Sequence, residues 1–342
     1  MNTTHRSNLF AAIILFAFMI GSIILSFIPG IKQLPILFIQ VMIEIIFLVL
    51  PTIIYLIVTK SPVKKTLRLN WPGLPTVILS FLVGIFILPL VMFISSLANL
   101  FVTNDVPFVM EKIISSPTLA LLAVIALTPA ICEELPLRGV LLSGYDQIDI
   151  KRAILINGLF FGIIHLNLHQ FSYAFVLGVI FAYIVRLTNS IFPSMIMHFT
   201  INGSTVLFQK LLFKMMELYP DLYADAATTA LEASFTEKLQ AVGVTFALAL
   251  LITPVAGLFL YFMHDIHQEN YKKYILLQDN TIIQEPIITQ NKDFPETESL
   301  VPTEQTAVTT EAEPSRIKVL NWPVWLSIIA FVIFMVATAL FE

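Results

Sequence analysis

The stretch TLALLAVIALTPAICEELPLRGVLL, residues 118–142, decides the fold. It is apolar over a length that can cross the hydrocarbon of a bilayer, for which about 20 residues suffice. Yet it carries Glu133, Glu134 and Arg138. Charges inside a membrane span are costly, so they face a cavity or a partner rather than lipid. Glu134 and Arg138 stand one helical turn apart and can pair. Glu133 is rotated about 100° from Glu134, so a single guanidinium cannot readily neutralise both carboxylates. One carboxylate is then structural and the other is free for chemistry. Pro136 has no N–H for the carbonyl of Cys132, which predicts a kink. Broken backbone is tolerated at membrane depth where protein or water meets the freed groups.

The rest of the chain is of the same kind. It is 57% hydrophobic and 12% charged with a mean hydropathy of +0.87, against about 25% charged residues in soluble domains. Apolar runs at 9–29, 36–58, 76–101, 118–142, 153–168, 171–187, 191–213, 241–263 and 322–341 predict an all-α, polytopic transmembrane bundle of about eight core spans plus one at the C-terminus. The first run is too long for the apolar core of a cleavable signal. The runs at 153–168 and 171–187 are short and nearly continuous, which predicts a tight helical hairpin. A net charge of −4 without a basic block argues against a nucleic-acid partner. The single cysteine, Cys132, excludes an intrachain disulfide and a cysteine-based metal site; it reads as a small buried apolar residue.

Lysines and arginines set the orientation. Lys60, Lys64, Lys65, Arg68, Lys151, Arg152, Arg186, Lys272 and Lys273 all fall on one side when the spans alternate. That side is expected to be cytoplasmic, with the N-terminus inside a bacterial cytoplasmic membrane. The chain divides into N-terminal spans (1–117), a central block (118–213), an acidic extracytoplasmic insert (214–240), a further span (241–264), a polar disordered linker (265–320) and a last span (321–342). The last span has no ionisable residue before its terminal Glu342 and reads as accessory.

Two more polar patterns follow the first: Phe161-x-x-x-His165 and His198-x-x-x-Asn202. At about 1.5 Å per residue, Glu133, His165, His198 and Asn202 lie roughly 14, 18, 11 and 17 Å below the cytoplasmic boundary. One layer holds all four. A lone polar residue would read as helix–helix glue worth about 0.6–2 kcal/mol; the set reads as a catalytic or ligand-binding site. Phe161 and Gly162 read as packing residues, and His5 and His169 as interfacial and inert. Glu44, alone in its span, carries less weight: it functions directly, pairs with a polar backbone group or is protonated.

These three patterns, in this order on successive helices, resemble the CPBP family. That family comprises type II CAAX prenyl endopeptidases and Abi-type or bacteriocin-processing intramembrane proteases. Glu133-Glu134-Leu135-Pro136-Leu137-Arg138-Gly139 is similar to its first motif, Phe161-Gly162-Ile163-Ile164-His165 to its second and His198-Phe199-Thr200-Ile201-Asn202 to its third. Leu137 stands where many members have Phe, and Pro136 is unusual within the motif. The resemblance implies hydrolysis of a peptide bond in a membrane cavity open to the cytoplasm. It further implies that Glu133 activates water, His165 helps hold it, and His198 with Asn202 stabilises the oxyanion.

Metal dependence stays open at this point. Glu133, His165 and His198 are also the inventory of a catalytic zinc site, although no His-Glu-x-x-His helix is present; glutamate-activated water without an obligatory metal is the reading preferred. The expected partners are the lipid bilayer and a membrane-associated peptide or protein, prenylated in one version. The alternatives are a non-proteolytic immunity factor or scaffold of the same family, and a proton-coupled transporter. Against transport stands the lack of evident repeat symmetry.

Overall fold

The structure is a computed structural model that describes residues 2–104, 106–220, 234–272 and 319–341. Of the 265–320 linker, residues 273–318 lie outside the described residues, and its first residues, up to 272, are largely helical; the middle of the 214–240 insert lies outside as well. Every regular element among the described residues is helical. The main helices are α1 (Thr3–Phe27), α2 (Ile36–Thr59), α3 (Leu74–Ala98), α4 (Val106–Ile113), α5 (Thr118–Leu141), α6 (Ile150–Ile163), α7 (Leu168–Thr188), α8 (Phe192–Leu218), α9 (Phe235–Ile266) and α10 (Trp322–Phe341).

Six of these, α1, α2, α3, α5, α7 and α9, are long and apolar enough to cross a membrane. The chain is thus a multi-pass membrane protein. The other candidate spans differ for physical reasons. α6 has 14 residues, about 21 Å at 1.5 Å per residue, less than a bilayer core. α8 has 27 residues, but His198, Asn202 and its hydroxyl residues dilute its apolar character. α10, by contrast, has 20 residues, apolar along its length, about what a bilayer core needs. Two boundaries also move: α8 runs on to Leu218 and α9 starts at Phe235, so helix enters the 214–240 insert from both sides. At Phe235 the cause is a capping box, in which Ser234 and Glu237 satisfy each other's end groups.

α5 sits at the centre, against α1, α2, α6 and α8. It is not a regular helix. Two π-helical segments, Leu122–Leu127 and Leu135–Leu141, flank a short α-helical stretch, Thr128–Cys132. Pro129 and Pro136 are the cause: neither can donate to the carbonyl four residues earlier, and each ring crowds that carbonyl. The irregularity expected at Pro136 is therefore a change of helical register, and Pro129 doubles it.

α6 and α7 form the predicted hairpin, although α7 is the longer arm. They meet so closely that a Cβ on Gly178 would lie 2.8 Å from the Cα of Gly158. Only glycine at both positions permits that approach, and in lipid such close backbone packing drives helix association. The turn between them carries His165. Leu166 takes φ of +49°, and Asn167 caps α7 by accepting from the Gln170 N–H at 2.9 Å. The far ends of the hairpin are tied together by Asp146, which accepts from Arg186 at 2.8 Å and from Arg68 at 2.5 Å.

α10 packs into the bundle. Val324 and Ser327 are fully buried, and Phe331 packs with Leu15, Ile163, Leu166 and Phe171. Asn8 of α1, itself fully buried, joins three segments. Its amide donates to the Val319 carbonyl at 2.9 Å and to Asn321 at 3.1 Å, and its oxygen accepts from the Tyr145 hydroxyl.

Candidate active site

Glu134 and Arg138 are completely buried, with Nη1 and Oε1 3.1 Å apart. The guanidinium lies 4.0 Å above the ring of Phe161 and 5.2 Å from that of Phe181. Aromatic faces thus take up charge that would otherwise sit bare in a dry interior. Glu134 has a second partner that spacing along α5 could not disclose. The same Oε1 accepts from His198 Nδ1 at 3.0 Å. The pair expected on α5 is a triad that bolts α5 to α8.

His198 is oriented by that contact. A carboxylate balanced by Arg138 can only accept, so Nδ1 carries a proton and Nε2 points toward Glu133, 3.9 Å from its Oε2. Glu133 is 16% exposed, and no donor among the described residues reaches its Oε2. Its neighbour Glu134 engages Arg138 and His198 through Oε1. The two adjacent carboxylates therefore have different surroundings because the helix turns them to different faces.

His165 occupies the turn after α6, and its Nδ1 lies 2.7 Å from the carbonyl of Phe161. A carbonyl only accepts, so Nδ1 donates and a neutral ring keeps a lone pair on Nε2. Phe161 stands edge-on between the two imidazoles, with centroids 5.1 Å from His165 and 5.7 Å from His198. It is a packing residue, as its sequence position suggested, and what it packs is the site.

Asn202 lies one turn beyond His198 and donates its amide to the Ile125 carbonyl at 3.2 Å. Ile125 is four residues before Pro129, so that carbonyl is one the proline cannot serve. The amide's second N–H is left for another acceptor. Asn157, fully buried, likewise donates at 2.7 Å to the Leu137 carbonyl within the second π segment. An amide in an apolar helix was its only sequence signal.

The fold thus brings Glu133, Glu134, Arg138, His165 and His198 around Phe161 and hangs Asn202 on the adjoining stretch of α5. Glu44, weighted lightly from the sequence, is 1% exposed and accepts from the Gln40 amide at 2.9 Å. His169 departs from expectation: it is buried, with Nε2 3.1 Å from the Ser95 carbonyl on α3, because the turn after His165 folds it inward against α3. His5 packs on Trp322 with ring centroids 5.8 Å apart.

As for metal, no three His, Cys, Asp or Glu side chains among the described residues come together closely enough to hold an ion. Each histidine commits Nδ1, His165 to a backbone carbonyl and His198 to Glu134, an arrangement that metal-bound imidazoles also show.

Residues 115–204 match the family model described as type II CAAX prenyl endopeptidase Rce1-like. No curated protein and no solved structure matches the chain. All three polar patterns and the whole α6–α7 hairpin lie inside the matched segment. The chain therefore carries, in the central helices of a multi-pass membrane bundle, an Rce1-like domain of the CPBP family, a family of proteases.

Proposed function

We propose that the protein is an intramembrane endopeptidase that hydrolyses a peptide bond of a membrane-associated, prenylated peptide, with Glu133 as the base. The observation that carries this reading is Glu133 itself. It is a half-open carboxylate with one oxygen unpartnered, 3.9 Å from an imidazole that a buried carboxylate has already oriented.

In the mechanism, Glu133 takes a proton from water as the hydroxide adds to the scissile carbonyl carbon. His165 accepts the second O–H of that water at Nε2 and fixes its direction. The oxyanion receives hydrogen bonds from the free N–H of Asn202 and from His198, which Glu134 orients. Such donors are already in place before charge develops, which is the source of their value. Glu133 then returns its proton to the leaving amine, and the peptide bond breaks. No metal is required. The active site opens to the cytoplasm, and the N-terminus lies on the same side of a bacterial cytoplasmic membrane.

The test is cleavage of a fluorescence-quenched farnesylated peptide by purified protein. Asn202→Ala is expected to lower turnover by about 10²–10³-fold, the usual cost of one oxyanion donor, with an unchanged melting temperature. Full turnover in this variant would remove the oxyanion role. Protein purified without chelator is expected to carry well under one zinc per chain by elemental analysis. Stoichiometric zinc, with activity lost to chelation and restored by the metal, would replace Glu133 as sole activator.

A further inference from the structure

The chain between α2 and α3, KSPVKKTLRLNWPG at residues 60–73, contains Lys60, Lys64, Lys65 and Arg68 and no Asp or Glu. Both flanking helices are long and apolar enough to cross a membrane, so the loop lies at the membrane surface. Its cations divide by burial. Arg68 is 2% exposed and is answered by Asp146, whereas Lys60, Lys64 and Lys65 are exposed. None of these three lysines has an ion pair among the described residues, although Arg152, Arg186 and Lys272 elsewhere pair with Asp149, Asp146 and Glu269.

Two apolar side chains accompany the lysines. Val63 is 52% exposed and Trp71 is 71% exposed. At a membrane surface, tryptophan rings sit at the level of the headgroups, and each lysine near an anionic leaflet is attracted to it. Exposed lysines beside an exposed indole on one short loop complement a single chemistry, a negatively charged headgroup above acyl chains.

The inner side of the same loop is built into the scaffold of the site. Leu67 lies against Gly139, the residue after Arg138 on α5, so closely that a Cβ on Gly139 would be 2.5 Å from Leu67 Cδ2. Toward α8, the Arg68 carbonyl accepts from the Ile191 N–H at 3.1 Å. The Asn70 amide donates to the Asn189 carbonyl at 2.8 Å, and the Asn70 carbonyl accepts from the Ser190 hydroxyl at 2.6 Å. One loop thus touches the helix of Glu133 and the entry to the helix of His198.

We propose that the loop between α2 and α3 is a docking surface for anionic phospholipid headgroups, and that their binding raises turnover by keeping α5 and α8 together. Three unanswered lysines close in sequence repel one another and draw the loop toward water; an anionic surface reverses both effects and keeps its inner side seated. The effect on turnover rests on the hydrolytic reading above; the docking surface does not.

The experiment uses the full chain in phosphatidylcholine nanodiscs, as a Trp322→Phe/Trp325→Phe variant that leaves Trp71 the one tryptophan. Added brominated phosphatidylglycerol is expected to reach half-maximal quenching of Trp71 at a mole fraction at least about fivefold lower than brominated phosphatidylcholine. Lys60→Gln/Lys64→Gln/Lys65→Gln is expected to abolish that preference, with thermal melting unchanged. Lys151→Gln/Arg152→Gln, which removes cations from another loop, is expected to keep it. On an uncharged farnesylated peptide, wild-type kcat is expected to be about fivefold higher in phosphatidylglycerol than in phosphatidylcholine, the low end of a coupling between sites. The triple lysine variant is expected to show equal kcat in both.

Equal quenching by the two lipids would overturn the docking surface in favour of an acidic partner from solution. A preference that survives the triple lysine change, or that vanishes with Lys151 and Arg152, would overturn its location. A headgroup preference with the same wild-type kcat in both lipids would overturn the link to turnover. If the wild type cleaves no prenylated peptide in either lipid, the proposed function fails and the quenching alone decides the docking surface.

Discussion

Glu133→Gln is expected to lower turnover on a farnesylated peptide by about 10²–10⁴-fold, the range for removal of a general base, while melting as the wild type does. The structural grounds for an intact fold are specific. Glu133 makes no ion pair shorter than 3.9 Å, and its Oε2 has no protein donor to lose among the described residues. Replacing that oxygen with an amide nitrogen keeps the volume and deletes only the basic lone pair. The measurement is kcat beside thermal unfolding in the same detergent. Full turnover in a folded Glu133→Gln variant would remove the peptidase reading and leave the non-proteolytic scaffold of the same family.

Glu134→Gln should fail differently. Its carboxylate is completely buried and serves both Arg138 at 3.1 Å and His198 at 3.0 Å. Loss of its charge strands a guanidinium in a dry interior, a fault that costs about 3–5 kcal/mol when one partner of a buried pair is removed. The expected result is poor expression, a lowered melting temperature, and an activity loss that follows the loss of folded protein. The double variant Glu134→Gln/Arg138→Met should recover much of the stability, because removing both charges is often close to neutral. It should not recover turnover, since His198 would still lack the carboxylate that orients it. Stability of Glu134→Gln equal to the wild type would show that the aromatic rings over Arg138 alone suffice to hold its charge.

These two neighbours illustrate how far local pattern reaches. That Glu134 pairs with Arg138 follows from a spacing of four on a helix, and that Glu133 points elsewhere follows from the next 100° of rotation. The contact between Glu134 and His198 spans 64 residues, and no local rule contains it. It arises because α5 and α8 pack side by side. The reading of Pro136 was of the same partial kind. A missing N–H guarantees a disturbed helix, but whether it bends or changes register depends on what meets the freed carbonyls. Asn202 at Ile125 and Asn157 at Leu137 do so here.

The all-helical, multi-pass architecture was settled by composition and by the length of the apolar runs, because lipid leaves the backbone no choice but to satisfy itself. The three polar patterns were equally legible, since a charge or amide among apolar residues stands out against its cost. Which of them touch was another matter. The placement of His165 in a turn, the wedge of Phe161 between two imidazoles and the burial of His169 all depend on helices distant in sequence. So does the seat of α10 against α1 and the turn after α6. Residues on one helix meet by periodicity, whereas residues on different helices meet only through close packing of whole surfaces, and that information is spread over the entire chain.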